Sequence, residues 1–278
     1  MKNTVRKLMT VLLALIFVVS GGVFLHLLHG QRVADRAYQE AADIAWDART
    51  AEADDAPQPV ELPDPPLPLE DVPEEVPREP LPEEARLLLD LDLPALQAVN
   101  GDVLGWIYIP DTSISYPLLR SGDNSEYLKL TWDLRSSAAG SIFLERRNSA
   151  DLSDFNTLIY GHNMKNGTMF SDLRHYRDQA YFDSHPHVYI VLGDAVLCYR
   201  LFAAYTADVT SDTYRLIFED DARKQSAIDF YLSQSSVECD LAPAVEDRIL
   251  TLSTCTGTGD YDYRLVVQGV LAGEFLLS

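Results

Sequence analysis

Cys255 closes the run Arg248-Ile-Leu-Thr-Leu-Ser-Thr-Cys255, and Arg264 opens a second apolar run nine residues later. At period two, Leu250 and Leu252 point to one face and Thr251, Ser253 and Cys255 to the other. That is the pattern of a half-buried strand with a thiol at its C-terminal end. The second run, Arg264 to Val270, puts Leu265 and Val267 on the core side and Arg264 and Gln268 on the other. Between the runs, Thr256 to Asp260 reads Thr-Gly-Thr-Gly-Asp, a turn. If the two strands pair as a hairpin, Cys255 and Arg264 meet on one face at the loop end. A thiol beside a fixed guanidinium is biased toward thiolate, and the guanidinium can hold a developing oxyanion. Such a pair suits nucleophilic acyl chemistry. The competing reading is an inert core cysteine, since free Cys is among the most buried residue types.

Thr-Leu-Ser-Thr-Cys followed by an Arg-bearing strand resembles the signature of the sortases, cysteine transpeptidases of Gram-positive cell surfaces. In that family a His at the end of an earlier strand completes the site, and here the matching residue is His162 in Asn156-Thr-Leu-Ile-Tyr-Gly-His162-Asn-Met. Strand parity groups His162 with Leu158 and Tyr160, which assigns it no role by itself. Nothing local separates it from His175 or His187. The likeness covers nearly all of Glu83 to Leu271, through Gly-Trp-Ile-Tyr-Ile-Pro, Tyr-Pro-Leu-Leu, Gly-Ser-Ile-Phe-Leu and Tyr-Gly-His-Asn-Met in the family's order. It implies Cys255 as nucleophile, His162 as general acid and base, and Arg264 as oxyanion support. Ser253, which matches a Ser of class B sortases, and Thr256 are expected to contact substrate. Asp260 and Asp262 read as turn residues, because the family's site is Cys-His-Arg.

The same resemblance implies the reaction: cleavage of a C-terminal sorting signal after Thr, a thioacyl enzyme, and transfer to an amine of a peptidoglycan precursor of the lipid II kind. The expected partners are therefore a surface protein carrying that signal and the precursor amine. No cofactor and no metal are expected. A helix ahead of the first strand, and one inside the long connection Asp208 to Asp247, are most similar to class B. The pilin-polymerising class carries an Asp-Pro-aromatic lid and a second membrane segment. In this chain Asp64-Pro65 is followed by Pro66, and Ser278 comes straight after the last strand. A pilin-type sortase, a hydrolytic cysteine protease sharing Cys255 and His162, and a non-catalytic anchored binding protein remain as alternatives.

The elements that must position these residues are short strands. Gly105 to Ile109, Ile114 to Leu119, Gly140 to Leu144, Thr157 to Tyr160, Val188 to Leu192, Ala195 to Ala204, Ile249 to Cys255 and Arg264 to Leu271 are strand-like runs separated by turn residues. Eight of them over residues 105–271 predict a mainly β fold, a closed barrel or sandwich. The family likeness makes it an eight-stranded sortase-type β-barrel with a helix between strands 6 and 7. Gly167 to Tyr181 and Asp220 to Ser233 carry apolar residues at helical spacing. Glu83 to Val99 reads as one or two short helices broken near Pro94.

The N-terminal part is organised differently. After Lys2, Arg6 and Lys7, residues 8–28 form an apolar run of roughly 31 Å as a helix, enough to cross a bilayer core of ~30 Å. The charges predict residues 1–7 inside and everything after residue 28 outside, a single-pass cell-membrane protein with an extracellular domain. Cleavage as a signal peptide near Val19-Ser20-Gly21 is the alternative. Residues 29–82 are expected to be a linker, Ala-rich and helical at first. Ten of the protein's fifteen prolines then fall in residues 57–82, among Asp and Glu and without Gly. Such a stretch is polyproline-like spacer or disorder, with a reach of up to roughly 80 Å at ~3.1 Å per residue. Residues 83–278 form the expected catalytic domain, and a chain starting at Glu83 is expected to fold. The formal charge of −21 argues against binding nucleic acid. Neither C-x-x-C nor H-E-x-x-H occurs, and His185-Pro-His187 has no third ligand at a recognisable spacing. Pairing of Cys198 with Cys239 stays open.

Overall fold

The computed structural model describes residues 2–52, 80–257 and 262–277. The long helix α1 (Lys2–Glu52) comes first, then a 3-10 segment (Glu83–Asp90) and α2 (Leu93–Val99). Eight strands follow: β1 (Val103–Tyr108), β2 (Ser115–Leu119), β3 (Ile142–Leu144), β4 (Asn156–Tyr160), β5 (His187–Leu192), β6 (Ala195–Asp208), β7 (Ile249–Cys255) and β8 (Tyr263–Leu276). They close a barrel in the order β1-β2-β3-β4-β7-β8-β6-β5, with β5 pairing back to β1. The expected mainly β barrel is therefore the observed fold. Pairing is antiparallel except for β2 with β3 and β4 with β7, which are parallel.

Alternation along the strands divides the core. Leu250, Leu252, Leu265 and Val267 are buried in the main cluster with Ile107, Leu118, Ile159 and Ile190. Residues of opposite parity face two outer layers. One outer cluster joins Trp106, Phe143, Val191 and Val196 to α1, the 3-10 segment and α2. The other joins Phe202, Tyr205, Ile249 and Val266 to α4 (Asp221–Gln234), which lies in the connection between β6 and β7. Asp220 caps α4 by accepting the Arg223 N–H at 2.8 Å, which satisfies one of the free donors at its start.

Two sequence expectations are redrawn. The helix expected from Gly167 to Tyr181 is a 3-10 segment (Ser171–Arg177) and then α3 (Gln179–Ser184). Asp178 separates them and caps α3 by accepting from the Tyr181 N–H. Met169, Phe170, Leu173 and Tyr176 of this region still reach the main core. The Glu83 to Val99 region is two short helices broken near Pro94, as expected: the break falls at Leu91 and Asp92, and Pro94 occupies the first turn of α2, where its missing N–H costs nothing.

The second change concerns the chain ahead of Glu83. Ala37, Ala41 and Ala45 recur at helical spacing on α1, all fully buried against the outer layer over β1 and β5. These small side chains let the helix backbone approach closely. Trp132 donates its Nε1–H to the Ala37 carbonyl at 2.7 Å, and the Asp92 N–H reaches the Ala45 carbonyl at 2.7 Å. Trp46 stands edge-on to Trp106 at 5.1 Å. The first part of the expected linker is thus a packed helix, and the folded body takes in α1 from about Ala34. Residues 53–79, which include most of the Pro-rich segment, lie outside the described residues.

Candidate active site

Two strand pairings bring the predicted residues together. In the antiparallel β7–β8 hairpin, Cys255 pairs directly with Arg264. On the other side, β7 runs parallel to β4 with Tyr160 opposite Ser253. Just past the end of β4, where the Gly161 N–H still reaches the Ser253 carbonyl at 3.3 Å, His162 comes beside Cys255. The thiol therefore lies between an imidazole and a guanidinium, both within interacting range.

The electrostatics follow from that placement. Cys255 is held below the ordinary thiol range by its hydrogen bond with His162. Burial opposes this, and the positive charge of Arg264 reinforces it. His162 is raised above the ordinary imidazole range by the same hydrogen bond, with burial again opposing and the Leu128 carbonyl assisting. Each group favours the charged form of the other. Cys198 is the contrast: burial on β6 pushes its thiol up to about 11. All three cysteines are free, so Cys198 and Cys239 are not paired.

His162 is oriented by backbone. Its Nε2 is 2.9 Å from the Leu128 carbonyl, which fixes the ring and leaves Nδ1 for the thiol. The seat for this ring depends on Gly140, which has φ +57°. A Cβ there would meet the Tyr127 and Leu128 carbonyl oxygens at 2.6 and 2.8 Å and His162 Cδ2 at 3.0 Å. Neither the left-handed backbone nor the space admits a side chain. Asn163 ties the His162 segment to β7 by donating to the Cys255 carbonyl at 2.9 Å. Arg264 donates from Nη1 to the Tyr263 carbonyl at 3.0 Å, which steadies its fork beside the thiol.

A cavity of about 300 Å³ opens over this group, lined by Cys255, His162, Arg264 and Ser253. Ser253 is buried, with its hydroxyl 3.0 Å from the Tyr214 hydroxyl. Thr256 lies just past the strand end, half-exposed, and is not among the residues lining the cavity. Asn124, Leu128, Phe143, Tyr160, Gly161 and Thr254 complete the wall, and sequence reading assigned a role to none of these six. For Thr254 a signal existed: it sits inside the Cys255 motif. Asn124 and Leu128 come from the β2–β3 connection, and nothing in its sequence points toward a site. Asp260 lies outside the described residues. Asp262 uses its backbone carbonyl to accept the Val209 N–H, in keeping with a turn position. Away from the site, His185 stacks on Tyr181 at 4.0 Å and His187 bonds Glu84 at 2.9 Å.

Known proteins are similar to this chain in sequence and fold. The family model described as the sortase domain matches residues 107–272. Sortase B of Listeria monocytogenes is 40% identical over 189 residues, 65% of this chain and 74% of that protein. Sortase B of Staphylococcus aureus is 33% identical over 161 residues, 58% of this chain and 66% of that one. Among solved structures, a Staphylococcus aureus sortase B–substrate complex superposes with a TM-score of 0.62 at 30% identity, covering 67% of this chain and 85% of the other. With the family model spanning most of the barrel and relatives this similar in sequence and shape, the chain belongs to the sortase family of cysteine transpeptidases and is most similar within it to class B.

Proposed function

We infer that this is a membrane-anchored sortase in which Cys255 attacks the carbonyl carbon of a Thr in a C-terminal sorting signal. The C–S bond forms as the peptide C–N bond breaks, and His162 gives its proton to the departing amine. Arg264, which cannot lose its charge at any relevant pH, donates hydrogen bonds to the oxyanion on the way. The thioester then meets an amine of a cell-wall precursor. A new C–N bond forms, the C–S bond breaks, and His162 takes up the proton. Ser253 and Thr256 contact the bound peptide. The observation that carries this reading is the placement of Cys255 between His162 and Arg264 at the mouth of a cavity.

Membrane attachment rests on α1, the one helix among the described residues that is long and apolar enough to cross a bilayer. Its Leu12, Ile16, Phe17, Val19, Phe24 and Leu25 are exposed. With Lys2, Arg6 and Lys7 ahead of that run, the catalytic domain faces outward.

The test is to offer the enzyme peptides of the Asn-Pro-x-Thr-Asn and Leu-Pro-x-Thr-Gly types, with and without an added oligoglycine or diamine acceptor. Mass spectrometry should show cleavage after Thr and, with acceptor present, a ligated product. Cleavage with water as the sole acceptor, even at high amine concentration, would turn the reading to a hydrolytic protease. Absence of any Cys255 acyl adduct would remove the mechanism.

A further inference from the structure

One carboxylate beneath the site is not used by this chemistry. Glu145 directly follows β3 and is only 2% exposed. A buried carboxylate persists only when its lone pairs are satisfied and its charge is paired. One oxygen, Oε1, accepts from Arg147 twice, from Nε at 2.8 Å and from the backbone N–H at 3.3 Å. The other, Oε2, accepts from Asn124 Nδ2 at 2.6 Å and from the Tyr160 hydroxyl at 3.1 Å. Burial works to raise this carboxyl, but the bonds from Arg147 and Tyr160 outweigh it and hold Glu145 below the usual carboxylate range.

Both donors to Oε2 are wall residues of the catalytic cavity. Asn124 is held at its other end as well, because its Oδ1 accepts the Arg146 N–H at 2.8 Å. Tyr160 leans on Phe143 with ring centroids 5.5 Å apart. A phenol has one proton to donate, and an amide nitrogen has two. With the Tyr160 proton committed to Glu145, its oxygen is left to accept. With one Asn124 N–H committed, the second is left to donate. A peptide backbone carries one donor and one acceptor per residue, so this wall is complementary to it in hydrogen-bond sense.

We propose that Glu145 is a positioning residue for the peptide substrate, fixing Tyr160 as an acceptor and Asn124 as a donor on the cavity wall. This rests on the reading that the cavity takes the sorting peptide. Glu145 does not touch the reacting atoms, so its influence falls on peptide capture and leaves the reactivity of Cys255 alone. Glu145→Gln keeps the shape but turns one acceptor into a donor, which then faces either Arg147 or the Asn124–Tyr160 pair.

The experiment compares wild type, E145Q, the double variant N124A/Y160F, and E145Q placed in that double variant. For E145Q, KM for a cleaved peptide should rise about tenfold or more while kcat changes less than about threefold. The rate and pH profile of Cys255 alkylation by iodoacetamide should match wild type. In the double variant, adding E145Q should change kcat/KM by less than about twofold, because the groups it acts through are gone. Additive losses, an unchanged KM, or a displaced alkylation profile would overturn the proposal. If E145Q fails to fold, Y160F alone is the arm that decides, since it must raise KM with the alkylation profile intact. A wild-type enzyme that alkylates at Cys255 yet cleaves no peptide would sink the sorting-peptide reading instead. The crystal structure of E145Q then tests the positioning itself: displaced Asn124 and Tyr160 side chains support it, and unmoved ones overturn it.

Discussion

Cys255 and His162 stabilise each other's charged forms, and the consequence is visible in pH dependence. The lowered Cys255 contributes stability above the thiol's unfolded pKa, and that contribution is lost as pH falls through its folded value. The raised His162 contributes below the imidazole's unfolded pKa and loses it as pH rises through its folded value. Alkylation of Cys255 by iodoacetamide should therefore titrate with a midpoint below that of an unperturbed thiol. His162→Ala removes the main cause, leaving burial against the charge of Arg264, and should move the midpoint upward. An unmoved midpoint would detach His162 from the thiol. Arg264 is tested by Arg264→Lys, which keeps the charge but replaces a planar fork with a point donor of different reach. Losing one oxyanion donor costs roughly 10²–10³ in turnover, so this variant should fold normally, keep a reactive Cys255 and cleave peptide at least about 100-fold more slowly. Turnover near wild type would return Arg264 to the role of a surface strand charge.

Among the elements, α1 has the consequence sequence reading did not foresee. Its alanine stripe covers a layer containing Trp106 and Trp132. Its Tyr38 donates to the Gly140 carbonyl at 2.5 Å, in the turn that seats His162. At about 1.5–3 kcal/mol for each large apolar side chain returned to water, uncovering the two tryptophans costs up to about 3–6 kcal/mol. A chain starting at Glu83 should then melt below one starting at Gln31, by up to roughly 6–24 °C at 2–4 °C per kcal/mol for a domain of this size. It should also cleave more slowly, as the Gly140 turn loses its tether. Thermal unfolding of the two forms decides, and equal melting temperatures would mean that the α1 contact is dispensable.

For the molecule as a whole, acidic side chains outnumber basic ones, at a formal net charge of −21. Glu145, the most buried carboxylate near the site, is paired with Arg147. Among the described residues, no group of three or more His, Cys, Asp or Glu is placed to hold a metal ion. Under the proposed mechanism, in which Arg264 supports the oxyanion, peptide cleavage by the chain starting at Gln31 should stay within about twofold of its rate after chelator treatment. Loss of activity restored by added calcium would overturn this.

What the sequence determined by itself was local. Period two assigned Leu250, Leu252, Leu265 and Val267 to the core, and a short turn joined two strands so that Cys255 met Arg264. Both are near-neighbour facts: alternation sets a strand's face, and a tight connection sets its antiparallel partner. The position of His162 was decided by tertiary structure, through the parallel pairing of β4 with β7 across about ninety residues of chain. A parallel pair has no turn to announce it, so only the family likeness pointed to that histidine. The Asn124–Glu145–Tyr160 wall joins a loop, a strand end and a neighbouring strand, and period marks no such convergence. The alanine stripe of α1 was readable as helix but not as buried. Alanine is the best helix former and among the least hydrophobic core residues, so the same pattern suits a solvated spacer or a close-packed interface. Only the partner surface, with Trp132 donating to the Ala37 carbonyl, made it an interface.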